Sequence, residues 1–418
     1  MNQKVWIWNH YAINSYRNQG GRHYWFAENL IKKGYKPTIF CANTFHNSTD
    51  QIDVGDSKFT IKELNNIPYV FVKTKPAVGN GLNRILNMLL FFFNLFSVSK
   101  KIAKKRDKPD VILASSVHPL TMIAGILVGK RLSVPVICEV RDLWPEALFY
   151  VGKLKEKSLF GRLLTRGEYW IYKNADALVF TKEGDVDHII EEKWDHKNGG
   201  KIDLSKVYYI NNGVDVEAFC DSIESYQLED DDLQNDSFKV VYTGTIRTVN
   251  NIGNILDTAK LLKNEKDIEF LIYGEGNEKD NLEKKKEQEM IKNVTFKGFV
   301  NKKYIPFILK HSSINVLNYS QDKYNWSRGN SSNKLFEYMA SGTPIISTVQ
   351  MGYSIIERYN VGVELAQNTP EDFAKAILEI KNLPKTEYAK MSRNAKNAAD
   401  DFDFKKLTDK LIHVIEKV

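Results

Sequence analysis

A chain of 418 residues, 43% hydrophobic and 27% charged, is too long for a single core and too apolar for disorder, so two globular domains are expected. The net charge of +7 comes from basic residues scattered along the chain, and no recognition helix, zinc finger or RNA-binding signature gathers them, so nucleic acid is not an expected partner. Cys41, Cys138 and Cys220 lie far apart, the first two in apolar strand-like runs, which suits buried thiols in a reducing cytoplasm better than a disulfide framework or a zinc site.

The opening MNQKVWIWNHY has one early charge and no long apolar stretch, so no signal peptide is expected. KVWIWNH reads as a strand, followed by a helix from about Gly21 to Lys33 that Gly34 closes, and then by the strand KPTIFCA. Residues 82–106 form an apolar run broken by Asn87 and Asn94 and closed by Lys100, Lys101, Lys104 and Lys105. The apolar part is too short and too interrupted to span a bilayer, which needs about 20 apolar residues. Two readings stay open for it. One is a core helix with a solvated basic end; the other is an interfacial helix that buries Leu89, Phe92, Phe93 and Phe96 among anionic headgroups. DVILASS, VPVICEV and ALVFT follow, each a short apolar run with a helical stretch behind it, which predicts a parallel sheet wrapped by helices.

The pattern breaks near residue 211. NNGVDVEAF reads as a turn, and the acidic, polar stretch 221–237 reads as a mobile linker whose DDD at 230–232 is solvated. From Phe238 the alternation resumes with FKVVYTG, IEFLIYG, NVTFKG and INVLNY. The expected fold class is therefore α/β, with two facing Rossmann-like domains and a cleft between them. The boundaries drawn from the sequence are 1–205 for the N-terminal domain, 206–395 for the C-terminal domain including the linker, and 396–418 for a C-terminal helix able to return to the first domain. No GxGxxG fingerprint follows the first strand, so a dinucleotide redox enzyme is not expected.

The densest punctuation lies in RGNSSNKLFEYMASGTPI, residues 328–345. Ser331 or Ser332 suits an N-cap, Gly329 suits a close backbone approach to a ligand, and Gly342 and Pro344 end the helix. Lys334 in the first turn opposes the helix dipole, so it is misplaced for stability and well placed for a bound anion. Glu337, one turn on, can accept two adjacent sugar hydroxyls. The plain alternative is a capped helix with a surface Lys–Glu pair. Other strand-end loops carry Gly20 and Gly21, His118, Arg141 with Asp142, Gly244 with Arg247, Gly274 with Gly276, and Gly298. Each is weak alone; together they line one rim of two sheets.

These blocks, in register from GGRHYWFAENLIKKGYKPTIF through EVRDLWPEA, YYINNGVDVEAF, VVYTGTIR and NVTFKGFVNKKYIPFILKHSSINVLNY to SSNKLFEYMASGTPII, resemble the GT-B glycosyltransferases of the large retaining family 4. The nearest likeness is to the branch of bacterial O-antigen and capsule assembly that transfers sugars such as N-acetyl-fucosamine. The resemblance implies that Gly20 and Gly21 approach the donor phosphates and that His118 faces the transferred sugar. It implies that Arg247 holds the diphosphate beside Gly244 and Gly274. The turn Gly298, Phe299, Val300 would meet the base, the segment Ser331, Ser332, Asn333, Lys334 and Leu335 would line the donor, and Glu337 would bind the ribose. Tyr11, Arg141 and Asp142 are the acceptor-side candidates, with stabilisation of the N-terminal domain's loop as the open alternative for Arg141 and Asp142. Two departures stand out. The Lys that the family places a few residues after the Arg is missing from TVNNIG, a charge Lys334 can supply; and Gly329 stands where the first Glu of the twin-glutamate motif belongs.

The expected activity is transfer from a nucleoside-diphosphate sugar, with UDP favoured, to a lipid-linked or glycan acceptor, with no metal or other cofactor. Arg247 and Lys334 stabilise the leaving diphosphate in this reading, and retention of configuration is implied by the resemblance alone. The expected location is the cytoplasm, with peripheral contact to the inner face of the membrane through 82–106 if the interfacial reading holds. The rivals are a nucleotide-sugar 2-epimerase of the same architecture and a non-catalytic scaffold of a polysaccharide assembly complex.

Overall fold

A computed structural model describes residues 2–79, 81–106, 108–150, 152 and 154–418, apart from the side chains of Arg106 and Lys323. Met1–Asn211 together with Phe404–Val418 form one compact unit, and Asn212–Asp403 form the other.

The first unit is built on strands β1 (Lys4–Trp8), β2 (Lys36–Ala42), β3 (Phe59–Leu64), β4 (Ile67–Val72), β5 (Val111–Ser115), β6 (Val136–Val140), β7 (Ala177–Phe180) and β8 (Val207–Tyr209). They pair in the order β3-β4-β2-β1-β5-β6-β7-β8. Every pairing is parallel except the β3–β4 hairpin, whose two-residue turn places both Asn65 and Asn66 at positive φ, the geometry such turns favour. β5 and β6 are buried along their whole length, because helices cover both faces; this is why VILAS and VICEV lack polar alternation. On one face Phe91, Leu95 and Val98 of the helix Leu82–Arg106 pack with Ala124 and Ile126 of the helix Pro119–Leu132 and with Ile171 of the helix Leu159–Asn174. On the other face Phe26 and Leu30 of the helix Arg22–Lys32 meet Phe404, Leu407 and Leu411 of the helix Phe404–Lys417.

The second unit is a six-stranded parallel sheet of β9 (Phe238–Thr243), β10 (Ile268–Tyr273), β11 (Val294–Gly298), β12 (Ile314–Leu317), β13 (Ile345–Ser347) and β14 (Gly362–Glu364). The order is β11-β10-β9-β12-β13-β14. Both sheets reverse their winding once, between β1 and β5 in the first and between β9 and β12 in the second. Ligands in open α/β sheets bind outside the carboxyl ends of the strands at such a switch point.

The units divide at other places than the sequence suggested. Residues 206–211 stay with the first unit because β8 completes its sheet. Residues 396–403 stay with the second, because Ala398, Ala399 and Phe402 pack against Phe336 and Met339. The acidic stretch is not a solvated linker either. It holds the end of the helix Val216–Ser225 and all of the helix Asp231–Gln234, Leu233 is buried, and Lys297 bridges Asp230 (2.6 Å) and Asp232 (2.7 Å). Burial of Leu233 and these ion pairs order what composition alone describes as mobile.

Candidate active site

In the second unit the site forms around the helix Asn333–Ser341, which follows β12. Ser332 is its N-cap residue, but its hydroxyl accepts from the Tyr319 hydroxyl (2.8 Å) and caps no backbone N–H. The expected Ser cap is thus replaced by a helix start without a side-chain cap, which keeps its positive end available to an anion. Lys334 extends from this turn across the end of β9. Its amine donates to the Tyr242 hydroxyl (3.0 Å), lies 4.3 Å from that ring's centroid, and presses on Gly244, where an added Cβ would collide with it. Burial, and then the neighbouring Arg247, push the Lys334 amine down to about 7, with Glu337 opposing. Arg247 is exposed, and its side chain has no hydrogen-bond or ion-pair partner among the described residues. Two cations therefore converge at the β9/β12 switch point with no carboxylate paired to either.

The other residues named for this half-site divide. Glu337 engages Lys302 (3.2 Å) one turn along from Lys334. Phe299 is 75% exposed, an aromatic face without cover, whereas Val300 packs partly into the core. Asn333 is exposed, and the Ser331 carbonyl accepts from Asn212 Nδ2 (2.6 Å). Leu335 is a packing residue rather than a ligand contact: its side chain is in the core and its N–H closes on the Ser332 carbonyl. Gly274 is required by its neighbour, since a Cβ there would strike the Gly244 carbonyl; Gly298 accepts from the Gly274 N–H (2.8 Å). These glycines report close-packed strand ends. Gly329, at φ +95°, faces the Gly352 carbonyl and not open space, because the 326–330 loop folds back on residues 352–353.

In the first unit Gly21 is the N-cap residue of the helix Arg22–Lys32, at φ +100° and with no side-chain cap; a Cβ at Gly20 would touch the Trp25 ring. What fixes this turn is a residue the sequence reading passed over. Glu139, buried at the end of β6, accepts from Arg22 Nε (2.8 Å), His23 Nε2 (3.0 Å) and Ser115 Oγ (2.7 Å). Arg22 also donates to the carbonyls of Ile210 and Asn211. A lone acid inside VICEV was the available signal. His118 follows β5, caps the helix Pro119–Leu132 by position, and is buried; His10 follows β1 and lies 2.8 Å from it. The Tyr11 ring packs on His10 and His46. Arg141 donates its backbone N–H to Ser116 Oγ and keeps a buried Nε without a partner, while Asp142 is exposed and 3.9 Å from Lys182. Among the described residues no group of three or more His, Cys, Asp or Glu side chains is arranged to hold a metal ion.

Two family models match the chain: "Glycosyltransferase Family 4" over residues 24–218 and "Glycosyl transferases group 1" over residues 227–398. A probable glycosyltransferase named WbjE from Pseudomonas aeruginosa is 25% identical over 302 residues, covering 71% of this chain and 73% of its own length. Among solved structures, the sucrose-phosphate synthase of Thermosynechococcus elongatus superposes with a TM-score of 0.71 at 15% identity, covering 100% of this chain and 99% of its own. HepE of Anabaena, solved in complex with UDP, gives 0.66 at 13% identity, with 100% of both chains covered. The two sheets, parallel except for the β3–β4 hairpin, and these likenesses define the GT-B fold. The chain is a glycosyltransferase.

Proposed function

We propose that the chain transfers a sugar from a nucleoside-diphosphate donor, with UDP as the nucleotide, to a lipid-linked or glycan acceptor in surface-polysaccharide assembly, with retention and without a metal. One observation carries the reading: Arg247 and Lys334 meet at a helix start without a side-chain cap. Breaking the sugar–phosphate bond puts new negative charge on the leaving diphosphate, and donors already in place lower that barrier without reorganising. HepE, solved with UDP and with UDP-glucose, supports the choice of nucleotide. The surface-polysaccharide setting rests on the motif blocks, and Glu337 and the exposed Phe299 are the groups we assign to ribose and base. A screen of nucleotides and nucleotide sugars by thermal shift tests this, since a ligand bound to the native state raises its melting temperature. UDP and at least one UDP-sugar should stabilise the wild type and not Arg247→Ala; stabilisation by none would overturn the reading.

Peripheral membrane contact belongs to the same proposal. The helix Leu82–Arg106 cannot both cross a bilayer and keep Phe91, Leu95 and Val98 in the core of its unit. Its outer stripe is another matter. Leu82, Leu86, Leu89 and Phe93 recur at helical spacing, 83% and 63% exposed at the two ends, and exposed Lys100 and Lys104 continue the same line. No acidic residue occurs from 65 to 106. Exposed Leu159, Phe160 and Leu163 with exposed Arg162 and Arg166 make a second patch of the same kind. Phe92 and Phe96 pack partly on the core, so the stripe differs from the one the sequence suggested. Leu86→Ser with Phe93→Ser should release the protein from anionic vesicles; unchanged co-sedimentation would count against membrane contact.

A further inference from the structure

We infer that a directional hydrogen-bond chain through Asn87 and His10 fixes the ring tautomer of His118, so that Nδ1 of His118 is a hydrogen-bond acceptor for a ligand O–H or N–H. The direction is set at the backbone. Asn87 donates its amide N–H groups to the Lys75 carbonyl (2.6 Å) and to Thr44 Oγ1 (2.9 Å), so its oxygen is the atom that faces His10. That oxygen lies 2.6 Å from His10 Nε2, which must carry the proton. A neutral His10 then has a bare Nδ1, and this nitrogen lies 2.8 Å from His118 Nε2, which must donate. A neutral His118 is left with a bare Nδ1, and that atom is buried without a partner.

Both rings are neutral for physical reasons. Burial lowers His10 well below the ordinary histidine value, with His118, Arg84 and His46 adding to it, and it lowers His118 to about 4, with Arg84 adding. No carboxylate faces either ring among the groups that shift them. The thread continues behind Asn87: Thr44 bonds Thr74, Thr74 donates to Asn43 Oδ1, and Asn43 donates to the Ile52 carbonyl (2.9 Å). A second main-chain carbonyl therefore anchors the same polarity. This explains why Asn87 interrupts an apolar helix. His10 and His118 follow β1 and β5, the two strands of the switch point. Leaving an acceptor buried and unpaired is unfavourable, and such orphans concentrate where a ligand completes the set. His10 and Asn87 are positioning residues; His118 is the one that touches ligand. The ligand's identity as a sugar hydroxyl rests on the transferase reading, whereas the ring state does not.

The test is the nitrogen NMR spectrum of the full chain labelled at histidine, with the His118 signals identified by their loss in His118→Gln. The expected result is a neutral ring protonated at Nε2 and bare at Nδ1 at pH 7. Protonation at Nδ1, or a charged ring, would overturn the proposal; the ring state itself is read in the unaltered chain, and His118→Gln serves only to assign the signals. In Asn87→Asp the carboxylate should hold His10 as an imidazolium that donates to His118 Nε2, moving the His118 proton to Nδ1. His10→Leu should lose the fixed tautomer and lower kcat/KM about ten- to a hundredfold, the scale of one unsatisfied buried group. His10→Gln can accept from His118 and donate to Asn87, so it should restore the bare Nδ1 and recover activity relative to His10→Leu. An unchanged His118 ring in a folded His10→Leu would overturn the relay even if activity fell.

Discussion

Lys334→Ala is expected to lower turnover about 10²-fold or more, as is Arg247→Ala, the scale of removing one preorganised donor from a developing oxyanion. Lys334 also makes the effect pH-dependent. Its amine sits at about 7 in the free protein, well below the ordinary lysine value of 10.5, because burial and Arg247 disfavour the cation. A bound diphosphate reverses that balance, so the complex takes up a proton when it forms above pH 7. Nucleotide affinity should accordingly be flat below pH 7 and weaken above it, by up to about tenfold per pH unit while the complex keeps its proton. Calorimetry in two buffers of different ionisation heat measures the uptake directly; identical apparent enthalpies at pH 8 would refute the role of Lys334. The stability sign is opposite. The fold binds fewer protons than the unfolded chain between about 7 and 10.5, so this group destabilises most below pH 7 and progressively less above it. Lys334→Met should therefore raise the melting temperature of the free protein, most clearly below pH 7, while abolishing the gain from UDP. A merely structural Lys–Glu pair would show neither the stabilisation nor the proton uptake.

Much of this was legible in the residues. Periodicity and strand-end glycines gave two α/β units, and Lys334 at a helix start stood out as a candidate because it contradicts the dipole rule. Ser332 misled, because its hydroxyl accepts from Tyr319 thirteen residues earlier and caps nothing, a contact no local pattern encodes. Leu335 and Gly329 were drawn into the site by adjacency, yet helical periodicity turns Leu335 inward and the 326–330 loop turns Gly329 onto Gly352. The unit boundary escaped for a similar reason: VYY is a short edge strand, and only its pairing with β7 assigns it to the first sheet. Asn87 and Glu139 were visible as oddities, a polar group in an apolar helix and an acid in an apolar strand. Their partners, His10 at 77 residues' separation and Arg22 at 117, were not. Buried polar groups announce themselves in sequence, whereas the networks that satisfy them belong to the fold.

Glu139 gives the largest effect expected on stability. Burial alone would raise its carboxyl, but Arg22 and His23 hold it well below the ordinary value of 4.5. Arg22 forms a two-pronged pair with it, both side chains nearly inaccessible, at 2.8 Å through Nε and 2.7 Å through Nη2. Glu139→Gln keeps the shape and removes the charge, leaving a buried guanidinium that faces neutral oxygens and no carboxylate. Breaking a buried pair in this way costs about 3–5 kcal/mol. In a unit of this size that corresponds to a fall of roughly 6–20 °C in the melting temperature of the first unit. The pH dependence follows with a definite sign: the folded value is depressed, so the stabilisation is present above about 4.5 and is lost as pH falls through the folded value. The double variant Arg22→Met with Glu139→Leu should recover part of the loss, because an apolar pair leaves no uncompensated charge. It should not recover activity, since Arg22 begins the helix whose N-cap residue is Gly21, and the position of that turn depends on the Arg22–Glu139 link. A melting temperature unchanged in Glu139→Gln would mean that the pair is solvated in solution, and the Gly20–Gly21 turn would then need another anchor.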